Sequence, residues 1–312
     1  MEETKIINKG GDVYEGDTVD GKPHGKGKIS FEDGEVYEGN FVDGKAHGKG
    51  RITTPRGDVY EGDYQENERT GKGKITWAEG ETYEGDFLDG EYHGRGRLTF
   101  PNGGFYEGDF ADGIRHGKGK SLFMDEFKGE NIYEGDWQND KMHGKGKMTY
   151  GHKNIIYFIY EGDFVDGKKT GKGKLIEKDF YVYEGDMIDG RPDGKGIKVW
   201  SDGLVQEGDW VNGNLHGKGR ETINGNIYEG DFVYFEDFQN GEKYGKGKMT
   251  FVNGDVYEGD WVEDFYHGKG KMTHADGRVE EGNWERGKFI GNEPIRIKPP
   301  LKRRKFYGKK YD

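Results

Sequence analysis

The sequence predicts an all-β chain: an elongated, twisted, single antiparallel meander of about twelve 23-residue hairpins. Three observations predict it. One short pattern recurs at a fixed period, each copy alternates with period two, and turn dipeptides stand between the alternating stretches. The recurrence is plain in YEGNFVDGKAHGKGR from Tyr37, YEGDFLDGEYHGRGR from Tyr83 and YEGDFVDGKKTGKGK from Tyr160.

A Glu-Gly doublet follows Tyr14, Tyr37, Tyr60, Tyr83, Tyr106, Tyr133, Tyr160, Tyr183, Gln206, Tyr228, Tyr257 and Glu280. Seven of the eleven steps between these positions are 23 residues, a regularity that composition alone does not produce. Within YEGDF, the Tyr, Gly and Phe side chains point one way and Glu and Asp the other. In Gly71–Trp77, GKGKITW, the glycines, Ile75 and Trp77 share one face and Lys72, Lys74 and Thr76 the opposite one. Such alternation marks a strand. Asp43-Gly44 and Asp33-Gly34 are expected to supply the positive φ angles of tight hairpin turns.

The glycines have a packing reason. A Tyr ring leaves water only by lying over backbone that carries no side chain. The tyrosines at 14, 37, 60, 83, 106, 133, 160, 183, 228 and 257 are therefore expected to form a structural aromatic ladder. On the other face the acidic strand lies beside the basic one. Exposed pairs of that kind contribute only ~0–1 kcal/mol each, but they favour one register. One hairpin buries too few rings to offset its own ordering, so stability belongs to the stack.

Composition alone would suggest disorder: of 312 residues 58 are Gly, 35% are charged and 30% are hydrophobic. The 14% aromatic content and only 7 prolines oppose that reading. There is no cysteine, which excludes disulfides and thiolate metal sites. No targeting peptide is expected from MEETKIINKG, and no apolar run approaches a membrane span. The net charge of -12 is uneven: residues 294–312 hold eight bases and one acid, leaving an acidic body.

The recurring YEGDFVDGKKTGKGK pattern resembles the MORN (membrane occupation and recognition nexus) repeat over about residues 12–291. That resemblance implies an elongated antiparallel sheet and a repeat-only, non-enzymatic scaffold. Similar members sit in ciliary axonemes, as in radial spoke heads, and in other cytoskeletal assemblies, so the expected setting is cytoplasmic, in the cilium or cytoskeleton. The expected partners are other proteins of a multi-subunit assembly, a second copy of the chain included. The expected organisation is an N-terminal half-repeat cap over 1–11, the repeat array over 12–291 and a basic extended tail over 292–312. Gln206 and Glu280 depart from the pattern at the ring position and are expected to weaken or end the ladder.

Little chemistry is legible. His24, His47, His93, His116, His143, His216 and His267 share one slot, but neighbouring slots are ~10 Å apart, too far to converge on one zinc ion. Thr70, Thr170, Asp193 and Tyr244 take the same slot elsewhere. Gly119-Lys120-Ser121 ends like a phosphate-binding loop, yet Ile114 stands where its first glycine belongs. The repeated Glu and Asp are near-identical copies on an open surface, without the split environments that catalytic carboxylates need. No catalytic, metal-binding or cofactor-binding residue is expected, and no enzyme. Extra residues in SLFMDEFKGENI, TYGHKNIIYFI and FVYFEDFQNGEKYG are expected to form loops. Tyr234, Phe235 and Phe238 in the last of these are candidate partner-binding rings. So are the tail residues Lys302, Arg303, Arg304 and Lys305, which suit phosphoinositides or another acidic membrane surface, an acidic protein surface, or the acidic body of this chain. Nucleic acid is not an expected partner.

Overall fold

The computed structural model of the protein describes residues 4–7, 11–125, 129–153, 155–234 and 241–293. These residues form 25 strands and no helix. In each pairing described, a strand runs antiparallel to the next in sequence, as Val36–Val42 does with Lys45–Thr53 and that strand with Val59–Gln65. The all-β meander of hairpin repeats is the fold. The chain divides into two units, Met1–Ile156 and Tyr157–Asp312. At the start of the first unit, Thr4–Ile7 pairs with Val13–Val19.

Two kinds of turn close the hairpins. At Asp43-Gly44 both φ angles are positive, 49° and 85°, the geometry whose twist matches that of paired strands. The Asp33-Gly34 expectation needs correction. Only Gly34 has a positive φ, 91°. Phe31 N–H donates to Glu35 O at 2.8 Å and Gly34 N–H to Phe31 O at 3.0 Å, closing a three-residue loop. Asp33 is there as an acceptor, its carboxylate taking Glu35 N–H at 3.0 Å.

The second strand of each hairpin carries a bulge that plain alternation does not reveal. Between the pairs Gly39↔Gly50 and Phe41↔Ala46 one strand has only Asn40, while the other has His47, Gly48 and Lys49. Gly48 absorbs the kink with φ 69°. Because the surplus is two residues, the faces stay in phase on either side of it.

The first two extra segments are not simple loops. Most of their residues lengthen strands: Ile114–Met124 pairs with Glu130–Gln138 out to Met124↔Glu130, and Glu130 then pairs with Gly151 in Lys141–His152. Ile155–Val165 likewise has 11 residues. The insertions add residues to both partners of a hairpin, in sequences rich in β-branched and aromatic side chains, so extra ladder hydrogen bonds form rather than open loop.

Candidate docking surface

One face of each unit holds the core. The ten ladder tyrosines are at most 3% exposed. Each ring lies on glycine: a Cβ built on Gly50 would come 2.3 Å from Tyr37 Oη. The hydroxyl reaches the backbone opposite the bulge. Tyr37 donates to Asn40 O at 3.1 Å, Tyr83 to Asp86 O at 2.9 Å and Tyr133 to Asp136 O at 2.8 Å. The rings do not stack tyrosine on tyrosine from one repeat to the next. A second ring stands edge-on between them, as Phe41 does between Tyr14 and Tyr37, at centroid distances of 5.3 and 5.1 Å. Phe87 stands likewise between Tyr60 and Tyr83, at 5.1 and 5.2 Å. Edge-to-face contact suits the aromatic quadrupole and adds to burial. Burial, with neighbouring Tyr64 and Asp163 respectively, pushes the Tyr37 and Tyr160 phenols up to about 12.

The opposite face carries charge in two rows. In one, Lys28 meets Glu38 at 3.4 Å and Arg51 meets Glu61 at 3.0 Å. In the other, each Asp links two hairpins. The Asp86 carboxylate accepts the bulge N–H of Arg95 at 3.0 Å and meets Lys72 Nζ of the preceding repeat at 2.5 Å. A hydrogen bond from Lys49 holds the Asp63 carboxyl below its ordinary range, and the Lys72 N–H adds to the effect. One exposed aliphatic side chain recurs at the end of the first strand: Val19, Val42 and Leu88 in the first unit, Val165 and Ile188 in the second, each 40–50% exposed.

The shared histidine slot is the bulge itself. Among the described residues no cluster of three His, Asp or Glu side chains could hold a metal ion. His216 Nδ1 accepts Tyr234 N–H at 3.1 Å, and burial lowers its pKa while Asp209 opposes the shift. Tyr234 is half-buried. Phe235, Phe238, Lys302, Arg303, Arg304 and Lys305 lie outside the described residues.

The ladder is interrupted in the second unit. Gly194–Trp200 reads GKGIKVW where Gly71–Trp77 reads GKGKITW. The swap sends Lys198 to the ring face and puts Ile197 and Val199 on the charged one. Lys198 is 7% exposed, with its Nζ 3.8 Å from the Tyr181 ring centre and 3.9 Å from that of Trp200. Burial pushes its amine down to about 8, against the opposing charge of Glu177. Its cross-strand partner is Gln206, whose amide donates to Glu221 at 2.9 Å, and Glu221 in turn meets Lys243 at 2.5 Å. Leu215 takes the missing ring's place over Gly219. Gln206 was visible in the sequence as a departure from the pattern. Lys198, Glu221 and Lys243 were missed, although aligning GKGIKVW with its siblings exposes the swap.

The MORN repeat profile matches residues 14–36, 37–59, 60–82, 83–105, 106–125, 133–151, 160–176, 183–205, 207–226, 237–256 and 257–277. The chain belongs to the MORN repeat family. A MORN repeat is a non-enzymatic module of scaffold and interaction proteins. In this MORN chain the profile begins after Gln206 in one repeat and does not take in Glu280, the two positions where the ring is absent. No curated protein sequence matches significantly. Among solved structures, the TCP10 domain of Danio rerio CPAP in complex with a STIL peptide aligns at 11% identity, covering 89% of this chain and 97% of that one, with a TM-score of 0.29. The Drosophila melanogaster SAS-4 TCP domain with a proline-rich motif of Ana2 aligns at 14% identity over 56% and 84%, with a TM-score of 0.30. A streptogramin B lyase aligns at 12% identity over 86% of both chains, with a TM-score of 0.14.

Proposed function

We propose that this MORN chain is a structural scaffold that docks other proteins of a multi-subunit assembly in the cytoplasm, in the ciliary axoneme or the cytoskeleton. The observation that carries the docking role is the exposed aliphatic residue that ends the first strand of several hairpins, beside the charge ladders. Val19, Val42, Leu88, Val165 and Ile188 leave much of their apolar surface to solvent, and a partner with matching apolar spacing would cover them. The ciliary or cytoskeletal setting rests on the resemblance to repeat-only family members such as radial spoke head proteins. The test is detergent extraction of ciliated cells expressing the full tagged chain. Retention with axonemes is expected, with release of the variant Val42→Glu/Leu88→Glu. Release of the unaltered chain with the soluble fraction would refute the setting. Equal retention of both proteins would refute the docking row.

The basic run Lys302–Lys305 favours a second reading, a tether to phosphoinositide or other acidic membrane. One cluster of this size gives reversible attachment. Full chain should then sediment with phosphoinositide vesicles at physiological salt, and a variant with alanine at 302–305 should not.

A further inference from the structure

The charged face of the second unit has one place where its own rule fails. In most other repeats the position of Ile197 carries Lys or Arg, and the structure pairs those bases with the next glutamate: Lys28 with Glu38, Arg97 with Glu107, Lys248 with Glu258 at 3.1 Å. Ile197 has Glu184 as its cross-strand partner on one side and Glu207 on the other. Two glutamates thus flank an aliphatic side chain that is 37% exposed. Two residues on, Val199 is 41% exposed where Thr53, Thr76 and Thr99 stand in other repeats. Its partners are Val182 and Val205, and Val182 pairs with Ile176. The result is an apolar strip across four strands, edged by Glu184 and Glu207, whose outer cross-strand neighbours are Lys174 and Arg220.

We propose that the basic segment 294–312 of this same chain binds across this strip, its apolar side chains on Ile197 and Val199 and its lysines and arginines on Glu184 and Glu207. The chemistry matches: the segment sets Phe306 and Tyr307 beside Lys302, Arg303, Arg304 and Lys305. So does the reach. Eight strand intervals separate Arg191–Trp200 from Lys288–Gly291, or ~38 Å at ~4.8 Å each. Residues 302–306 lie 9–13 positions beyond Glu293, and ~30–43 Å of extended chain covers that distance at ~3.3 Å per residue. Docking here would withhold the basic cluster from other acidic surfaces until something competes for it.

The test is limited trypsin cleavage of the full chain, following cuts after residues 302–305 by mass spectrometry. The comparison is Ile197→Lys/Val199→Thr, which restores the residues that the other repeats use and so keeps the fold; an unchanged thermal midpoint checks this. Cleavage in the variant should be at least ~10-fold faster, and 0.5 M salt should speed cleavage of the unaltered chain, because ion pairs with the strip are screened. Equal rates for the two proteins would overturn the proposal. So would protection of the unaltered chain that disappears on ~100-fold dilution, since that would place the segment on a second copy.

Discussion

Gly96 offers the sharpest test of how the ring face is built. An alanine there would put its Cβ 2.4 Å from Tyr83 Oη and 2.6 Å from Cε2 and Cζ. The ring must lift by about 1 Å to reach ordinary contact, at ~1–3 kcal/mol for overpacking. Lifting also breaks the 2.9 Å hydrogen bond to Asp86 O, at ~1–3 kcal/mol for a buried acceptor left unmet. A stiffer unfolded chain returns ~0.4–1 kcal/mol. The net loss is about 3 kcal/mol. Gly219 is the internal control, because Gln206 has removed the ring and the nearest atoms to a new Cβ are at 3.1 Å. Shifts of a few tenths of an ångström relieve that contact, so Gly219→Ala should cost under ~1 kcal/mol. Because a long array need not unfold in one step, the assay is local: amide hydrogen exchange of Thr82–Leu88 and Glu91–Thr99. Protection there should fall about 100-fold in Gly96→Ala. If Gly96→Ala and Gly219→Ala weaken their own strands equally, the rings do not need bare backbone and this account of the core fails.

Tyr133→Phe keeps the ring but removes the donor to Asp136 O, so it should cost ~1–2 kcal/mol by the same exchange measurement; no loss would mean the hydroxyl is incidental. At alkaline pH the folded phenols hold protons that unfolded ones release near ~10. Stability is therefore complete below that pH and is lost as pH rises through about 12, the value to which burial pushes Tyr37 and Tyr160. Phenolate absorbance should rise together with loss of β circular dichroism; independent titration of tyrosines in an intact sheet would refute this. At acid pH, Asp63 and Asp186, lowered chiefly by hydrogen bonds from Lys49 and Lys172, contribute stability above ~3.9 that is lost as pH falls through their lowered values. Thermal midpoints measured across pH 2–5 should show that decline, and Asp63→Asn should flatten part of it. Gln206→Tyr, which restores the family residue, should destabilise, because Leu215 already fills the space over Gly219 and Glu221 would lose its amide partner; a raised thermal midpoint would contradict this.

The hairpins, the two faces and the ladder tyrosines were legible because each rests on a local rule repeated many times. Tyr37 and Phe41 four residues apart, with Gly39 between them, already state the packing. The bulge was not legible. His47-Gly48-Lys49 reads as continuous alternation, and only the count of residues opposite Asn40 shows that two are surplus. The turn at Asp33-Gly34 was half read, since Asp serves there through its carboxylate rather than its backbone. The lengthened strands at Ile114–Met124 and Lys141–His152 are hidden by the period, which assigns any surplus residue to a loop. The candidate surface was read least well. The missing ring at Gln206 shows within one strand, whereas pairing between strands is what joins Lys198, Gln206 and Glu221 into one group.

The same few links tie each hairpin to its neighbour. Gly90 N–H donates back to Arg69 O, Asp86 takes Lys72 from the repeat before it, and Phe87 packs on Tyr60 behind it. Each new hairpin brings the groups that complete its predecessor, as Asn67 does for Ala46 N–H and Phe110 for Tyr83, and is completed in turn by the one that follows. A chain built like this can settle in the order in which a ribosome releases it, with every finished turn serving as the template for the next.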